Sequence, residues 1–184
     1  LILDENAFIA KINEALNVTK DSDILVTLGI EPSYPNTGYG YIQYEVDKSY
    51  NEDKEIKKVK LFTEKPNLEM AKKFIESGDF LWNAGIFIWS LKSINKALKE
   101  NLPEVYNIFE KGENIYNTDK ENIFINEAYT SCPAISIDYG VMEKASNVYV
   151  IPSSFGWSDV GTWAALYQVR KKDKNKNSII GKNV

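Results

Sequence analysis

The amino-acid sequence predicts an α/β fold, with a mixed and mostly parallel sheet that is flanked by helices. Two continuous apolar runs, residues 24–30 and 80–89, are the first observation behind this prediction. Their length and composition suit strands that are covered on both faces, which is the pattern typical of a parallel sheet. The second observation is that segments with helical periodicity alternate with strand-like segments along the chain, as they do in α/β domains.

The first half of the chain is expected to begin with a helix over residues 4–16, because apolar residues recur there at helical spacing after two acidic residues. Strands are predicted where β-branched and aromatic residues cluster, and loops where proline, glycine and polar residues cluster. The expected order is a strand at 24–30, a loop at 32–38, a strand at 39–46, a polar hairpin or loop at 49–55 and a strand at 59–63.

The second half contains the clearest helix boundaries. Asn67 is a residue type that caps helix N-termini and Gly78 is a stop signal, so residues 67–77 are expected to form a helix. Pro103 suits the first position of a later helix. The expected order after residue 77 is a strand at 80–89, helices at 90–101, 103–111, 123–130 and 136–144, a strand at 148–151 and a helix at 161–170.

Composition excludes several kinds of chemistry. The 184 residues include no histidine, which removes histidine metal sites, histidine general bases and catalytic triads that need one. The single cysteine, Cys132, cannot form an intrachain disulfide, and this fits a reducing, cytoplasmic location. A net charge of −4 argues against a nucleic-acid-binding surface, and no apolar run is long enough for a membrane helix, so neither nucleic acid nor membrane is an expected partner.

The chain is expected to hold one main unit, residues 1–170, followed by a polar segment, residues 171–184. We interpret that segment as a linker or the start of a truncated C-terminal region. Because the sequence begins with Leu1 and not with methionine, we expect a fragment of a longer chain, incomplete at its N-terminus.

Four loops contain candidate ligand-binding residues. Two of them lie at the start of the strand at 39–46 and at the end of the strand at 59–63. Gly38 and Gly40 flank Tyr39, and glycines let a ligand approach the backbone closely; the alternative is a turn that enters a strand. Glu64 and Lys65 follow the next strand, where a carboxylate could accept hydrogen bonds from sugar hydroxyls and an ammonium could pair with a phosphate. The alternative is a solvated ion pair at a strand end.

The other two loops contain Asn83 and Asp159. Asn83 is the one strongly polar side chain in the apolar run 80–89, and Gly85 clears space beside it; either a ligand or the protein itself satisfies the amide. Asp159 lies in Gly156-Trp157-Ser158-Asp159-Val160-Gly161-Thr162-Trp163, where it could bind a divalent metal. The alternative is that Asp159 or Ser158 caps the following helix, with both tryptophans anchored in the core.

Three further residues are interpreted as structural. Tyr39 is expected to be an ordinary strand residue, and Asp138 and Glu143 are expected to cap and solvate their helix.

Taken together, six short segments resemble bacterial mannose-1-phosphate guanylyltransferases, which belong to the sugar-phosphate nucleotidyltransferases. They are TLGIEP (27–32), PNTGYGYIQ (35–43), FTEKP (62–66), LWNAGIF (81–87), SIDYGVME (136–143) and GWSDVGTW (156–163). The resemblance implies a nucleotide-diphospho-sugar transferase-like, Rossmann-like fold. It also implies that GTP and mannose 1-phosphate are converted to GDP-mannose and pyrophosphate with Mg²⁺.

The resemblance also assigns roles to individual residues. Gly40, Glu64, Asn83 and Gly85 would contact the sugar and Lys65 would hold its phosphate. Lys65 and Asp159 would be the catalytic residues, with Asp159 a Mg²⁺ ligand.

The family's glycine-rich loop with its arginine and lysine has no counterpart in this sequence, nor has the second metal-binding aspartate. We therefore expect the fragment to be inactive alone. A non-catalytic nucleotide-sugar-binding module and a glucose-1-phosphate enzyme remain as alternatives, and a homodimer is left open.

Overall fold

The computed structural model describes residues 1–51, 53–179 and 181. The strands in this part of the chain are β1 (Leu25–Ile30), β2 (Gly40–Tyr50), β3 (Asp53–Glu64), β4 (Phe80–Trp89) and β5 (Val148–Ser153). The α-helices are α1 (Glu5–Thr19), α2 (Leu68–Ser77), α3 (Leu91–Asn101), α4 (Pro103–Glu110), α5 (Glu121–Ser131) and α6 (Trp163–Val169), and a π-helical turn spans Asp138–Met142. The predicted α/β class is therefore confirmed.

The sheet is mixed, as predicted, but the expectation that it is mostly parallel is wrong. The strands close on themselves in the order β1-β4-β2-β3-β5. Only β1 and β5 pair in parallel, whereas β1–β4, β2–β3, β2–β4 and β3–β5 pair antiparallel among the described residues.

The error has a physical cause. An apolar run shows that a strand is covered on both faces, and it carries no information about strand direction. β1 is buried along its whole length, yet it lies between one antiparallel and one parallel neighbour. β2 and β3 are joined by a short turn at Asn51, and such a connection requires antiparallel strands.

Apolar side chains on the two sides of the sheet form two cores, each closed by helices. On one side, Ala15 of α1 and Ala71 of α2 pack with Val26 and Leu28 of β1. The other core is formed by Leu25, Ile42, Leu81, Ala97 of α3, and Val141 and Met142 of the π-helical turn. Gly40 of β2 and Asn83 of β4 therefore lie beside strand residues that belong to both cores.

Several predicted boundaries are confirmed by the capping contacts. The carboxylate of Asp4 accepts a hydrogen bond from Ala7 N (2.9 Å), and the amide oxygen of Asn67 accepts one from Met70 N (2.9 Å). α2 ends where Gly78 adopts a left-handed conformation, with φ = 76°. The strand predicted at 80–89 has the same bounds in the structure.

Other boundaries differ. Segment 49–55 forms the hairpin between β2 and β3, which is one of its two predicted forms, but the two strands extend beyond their predicted ends at residues 46 and 59; residue 52 lies outside the described residues. The helix expected at 136–144 is reduced to the π-helical turn. The division into residues 1–170 and 171–184 stays a prediction, and residues 180 and 182–184 lie outside the described part. None of the helices within that part is long and apolar enough to cross a membrane.

Candidate functional site

Gly40 brings two of the predicted loops into contact. It pairs with Glu64 across β2 and β3 and is itself buried. A Cβ atom built on Gly40 would lie 2.4 Å from Glu64 Oε2 and 3.2 Å from Asn83 Cβ. Only glycine leaves room at this point for both side chains in their present positions, so Gly40, Glu64 and Asn83 form one cluster.

Glu64 and Lys65 differ sharply in exposure. The Glu64 side chain is 12% exposed, whereas that of Lys65 is 61% exposed, and the two form an ion pair. The hydrogen bond from Lys65 to Glu64 is the main cause that raises the pKa of Lys65, and the negative charge of Glu64 is the second. Both keep the ammonium charged. Lys65 has φ = 49°, a left-handed conformation that is uncommon outside glycine and recurs at functional sites. The interpretation as a solvated pair thus fits the lysine and not the carboxylate.

The protein satisfies much of the hydrogen-bonding capacity of Asn83. Its amide oxygen accepts hydrogen bonds from Thr27 Oγ1 (3.2 Å) and Gly85 N (3.1 Å), and its amide nitrogen donates to Asp138 Oδ1 (3.0 Å). The structural alternative therefore explains how the half-buried amide is tolerated. The same contacts fix its orientation, and the amide nitrogen has a second N–H group for a ligand.

Sequence reasoning missed two acidic residues of this cluster. Asp138 does not merely cap a helix, because it accepts the hydrogen bond from Asn83. Burial is the main cause that raises the pKa of Glu143, and the charges of Glu64 and Asp138 raise it further. Asp138 begins the π-helical turn and Glu143 follows its end; such turns often occur at functional sites, but the sequence predicts an ordinary helix here.

Asp159 lies on the irregular segment that follows β5, where it is exposed to solvent. Its Oδ1 atom accepts hydrogen bonds from Tyr39 Oη (2.9 Å) and Gly161 N (3.1 Å). The neighbouring Val160 has φ = 46°, which is rare for a β-branched residue. This part of the chain is held in a strained turn around the carboxylate.

The alternative that Asp159 or Ser158 caps the following helix is wrong. The cap of α6 is Thr162, whose hydroxyl accepts a hydrogen bond from Ala165 N (3.1 Å). Trp163 is 87% exposed and is therefore not a core anchor, whereas Trp157 packs half-buried against the core.

Tyr39 is the link between Asp159 and the other loops. Nothing in the local sequence separates it from neighbouring strand tyrosines, but its ring is buried and meets the rings of Trp82 and Trp157 edge-on, each at 5.2 Å. Burial, and then the hydrogen bond to Asp159, raises the pKa of Tyr39 well above its usual range, so the phenol remains a donor. The structure thus joins Asp159 to the residue preceding Gly40 by a side-chain hydrogen bond.

The donor set at Asp159 fits part of a divalent-metal site. Mg²⁺ prefers oxygen ligands and commonly takes one or two carboxylates together with phosphates and waters. Within the described residues, no group of three or more aspartate, glutamate, cysteine or histidine side chains is arranged to hold a metal ion. If Asp159 binds such an ion, it would supply one protein ligand, and other ligands would have to complete the coordination.

A cleft of about 780 Å³ lies beyond the ends of β1 and β5, where Pro32, Ser153 and Trp157 contribute to its walls. The predicted site residues do not line it. We place the candidate site at the cluster around Gly40 rather than in this cleft, because the cluster contains the charged groups and the positioned amide.

The fold and the cluster define the chain as an α/β protein with polar and charged groups gathered at strand ends, and comparisons with known proteins identify its family. The family profile described as nucleotidyl transferase matches residues 1–176. A mannose-1-phosphate guanylyltransferase from Escherichia coli K12 is 37% identical over 170 residues, which are 92% of this chain and 35% of that protein. The alginate biosynthesis protein AlgA of Pseudomonas syringae pv. tomato is 36% identical over 166 residues, or 89% of this chain and 34% of AlgA.

The chain also matches a solved structure. The crystal structure of a mannose-1-phosphate geranyltransferase from Thermus thermophilus matches with a TM-score of 0.80 and 31% identity, covering 94% of this chain and 48% of that one. The chain belongs to the nucleotidyl transferase family. It spans between 30% and 40% of the length of eight similar curated proteins.

Proposed function

We propose that this chain is the sugar-phosphate-binding part of a mannose-1-phosphate guanylyltransferase. The observation that carries the proposal is the cluster of Gly40, Glu64 and Asn83 beside the exposed ammonium of Lys65. It combines a hydroxyl-binding carboxylate and amide with a phosphate-binding cation. The names of the similar proteins support mannose 1-phosphate as the ligand.

In this proposal the cluster binds both ends of mannose 1-phosphate. The Glu64 carboxylate accepts hydrogen bonds from sugar hydroxyls, and the second N–H of Asn83 donates to the sugar. Gly40 and Gly85 leave the backbone open beside them. Lys65 holds the phosphate as a compact point charge, which its exposure permits.

The reaction is nucleotidyl transfer. A phosphate oxygen of mannose 1-phosphate attacks the α-phosphorus of GTP, a new P–O bond forms, and the bond to the bridging oxygen of pyrophosphate breaks. The attacking oxygen is already ionised near neutral pH, so the absence of histidine from the sequence is no obstacle. Lys65 contributes by aligning this oxygen and by neutralising charge.

Nucleotidyl transferases generally use a divalent metal, and we propose Mg²⁺ here. Asp159 would be the carboxylate of this chain that contacts it. The bound ion would neutralise the developing charge on the phosphates. Because the described residues supply one such carboxylate, the 184 residues alone are expected to release little or no pyrophosphate from GTP.

Calorimetry on the 184-residue chain tests the sugar-phosphate part of the proposal. Mannose 1-phosphate should bind more tightly than glucose 1-phosphate, and much more tightly than mannose, because Lys65 contacts the phosphate. The control for the Lys65→Ala variant is Lys72→Ala, which removes an exposed lysine of α2 and should bind mannose 1-phosphate as the unmodified chain does. Failure to bind any sugar phosphate would contradict the proposal, and tighter binding of glucose 1-phosphate would assign the other sugar.

A pyrophosphate-release assay addresses catalysis by the chain. Binding of GDP-mannose with no pyrophosphate release fits both a separated part of the enzyme and a non-catalytic nucleotide-sugar-binding module. Rapid GDP-mannose synthesis by the 184 residues would contradict the expected inactivity.

A further inference from the structure

A series of aromatic and polar contacts between side chains leads to Asp159. Asn36 Nδ2 donates a hydrogen bond to Tyr34 Oη (3.0 Å), and the rings of Tyr34 and Tyr39 both meet Trp82 edge-on, at 5.1 and 5.2 Å. Tyr39 is 8% exposed and donates to Asp159 Oδ1 at 2.9 Å. Because the ring is packed between two tryptophans, the position of its hydroxyl is fixed by the core and not by solvent.

The two oxygens of the Asp159 carboxylate have different surroundings. Oδ1 accepts from both Tyr39 Oη and Gly161 N. Oδ2 accepts no hydrogen bond from the residues that the structure describes. A Cβ atom built on Gly161 would lie 3.1 Å from Oδ2, so the glycine leaves open space next to this oxygen.

We propose that Tyr39 is a positioning residue, which holds Oδ1 of Asp159 so that Oδ2 is presented to a divalent cation. The proposal rests on the proposed metal role of Asp159. Tyr39 does not touch the cation or the reacting atoms. It fixes the rotamer of an exposed side chain that solvent would otherwise leave free to turn, so the carboxylate meets the cation already oriented.

Mn²⁺ titration of the 184-residue chain tests this. Mn²⁺ is paramagnetic, so cation binding at Asp159 broadens the NMR signal of the Gly161 amide, which is hydrogen-bonded to the same carboxylate. Tyr39→Phe keeps the ring and removes the hydroxyl. On the order of tenfold more Mn²⁺ should then be needed for the same broadening, the low end of the loss seen when the partner of a metal-ligating group is removed.

A matched control separates positioning from packing. Tyr41 lies in β2 two residues further on, is fully buried, and donates its hydroxyl hydrogen bond to Asn36 O (3.0 Å). Tyr41→Phe removes a similar buried hydroxyl without touching Asp159, so its Mn²⁺ dependence should equal that of the unmodified chain. Equal shifts for Tyr39→Phe and Tyr41→Phe, or no shift for Tyr39→Phe, would overturn the proposal.

The Asp159→Asn variant separates the metal role of Asp159 from the positioning role of Tyr39. It should abolish the local broadening, and adding Tyr39→Phe to it should change nothing further. If Asp159→Asn leaves the broadening unaltered, Asp159 is not a ligand and the proposed metal role fails. If only Asp159→Asn has an effect, the metal role stands and the positioning role of Tyr39 is refuted.

Gly161→Ala provides a second variant in case Tyr39→Phe does not fold. It places a methyl group against Oδ2 and leaves Tyr39 untouched. Weaker Mn²⁺ broadening of the backbone amide at position 161 supports presentation of Oδ2, and unchanged broadening contradicts it.

Discussion

Gly40→Ala is the most direct test of the cluster around Glu64 and Asn83. Gly40 lies in β2 and is not among the glycines with positive φ, so its backbone accepts alanine. The new methyl group would come within 2.4 Å of Glu64 Oε2 and 3.2 Å of Asn83 Cβ. The first atom ends a side chain that can rotate away, whereas the second is attached directly to the backbone of β4.

The structure sets the size of the effect. To restore an ordinary contact of 3.4 Å, the Glu64 oxygen must move by about 1 Å. A hydrogen bond to a charged group is worth about 1.5–3 kcal/mol, and 1.4 kcal/mol is tenfold in affinity, so mannose 1-phosphate should bind about 10- to 100-fold more weakly. The free energy of unfolding should change by less than about 1 kcal/mol, because alanine also lowers the entropy of the unfolded chain.

Calorimetry with mannose 1-phosphate measures the first quantity and urea denaturation the second. Gly38→Ala is the matched control, since Gly38 is exposed in the loop just before β2 and its Cβ would meet only Asn36 Oδ1, at 3.2 Å. Unchanged affinity in Gly40→Ala would refute the placement of the sugar beside Glu64. A loss of more than about 3 kcal/mol in unfolding free energy would show that Gly40 serves core packing instead.

Three further outcomes are expected. Lys65→Ala should weaken binding of mannose 1-phosphate but not of mannose, by calorimetry, and it should also lower the melting temperature, because the carboxylate of Glu64, which is only 12% exposed, loses its ion-pair partner. Asn83→Asp sets two carboxylates at hydrogen-bonding distance, so it should lower the free energy of unfolding at pH 7, measured by urea denaturation, by about 1–3 kcal/mol. Glu143→Gln should raise the melting temperature at neutral pH relative to the unmodified chain. The raised pKa of Glu143 means that the fold disfavours its ionised form, so the gain should vanish as the pH falls below the ordinary value of 4.5.

Local signals in the sequence were sufficient to predict most of the helices and strands. Asp4, Asn67 and Gly78 act on backbone groups within a few residues of themselves, so their effects can be predicted without the fold. The apolar run 80–89 needs only burial to become a strand. Strand direction and the closure of the sheet depend on partners far along the chain, and no residue within a strand specifies them.

The missed site residues share a cause. Tyr39 at the start of a predicted strand and Asp138 near a predicted helix start match common sequence patterns, and each became distinctive only through a partner 120 or 55 residues away. A phenol that packs in a core and one that holds a carboxylate have the same local sequence. Their roles depend on where the hydroxyl ends, which the fold decides.

Gly40 and Gly85 also show that the local sequence does not reveal the role of a residue. In the sequence both are glycines beside polar residues, yet they are required for opposite reasons. Gly40 has an ordinary backbone conformation and no room for a Cβ, whereas Gly85 has φ = 68° and no atom within 4 Å of where its Cβ would lie. Alanine at position 40 would therefore act through space on Glu64. At position 85 it would act through the backbone, whose N–H orients Asn83, so the two substitutions would disturb the same proposed sugar contacts by independent routes.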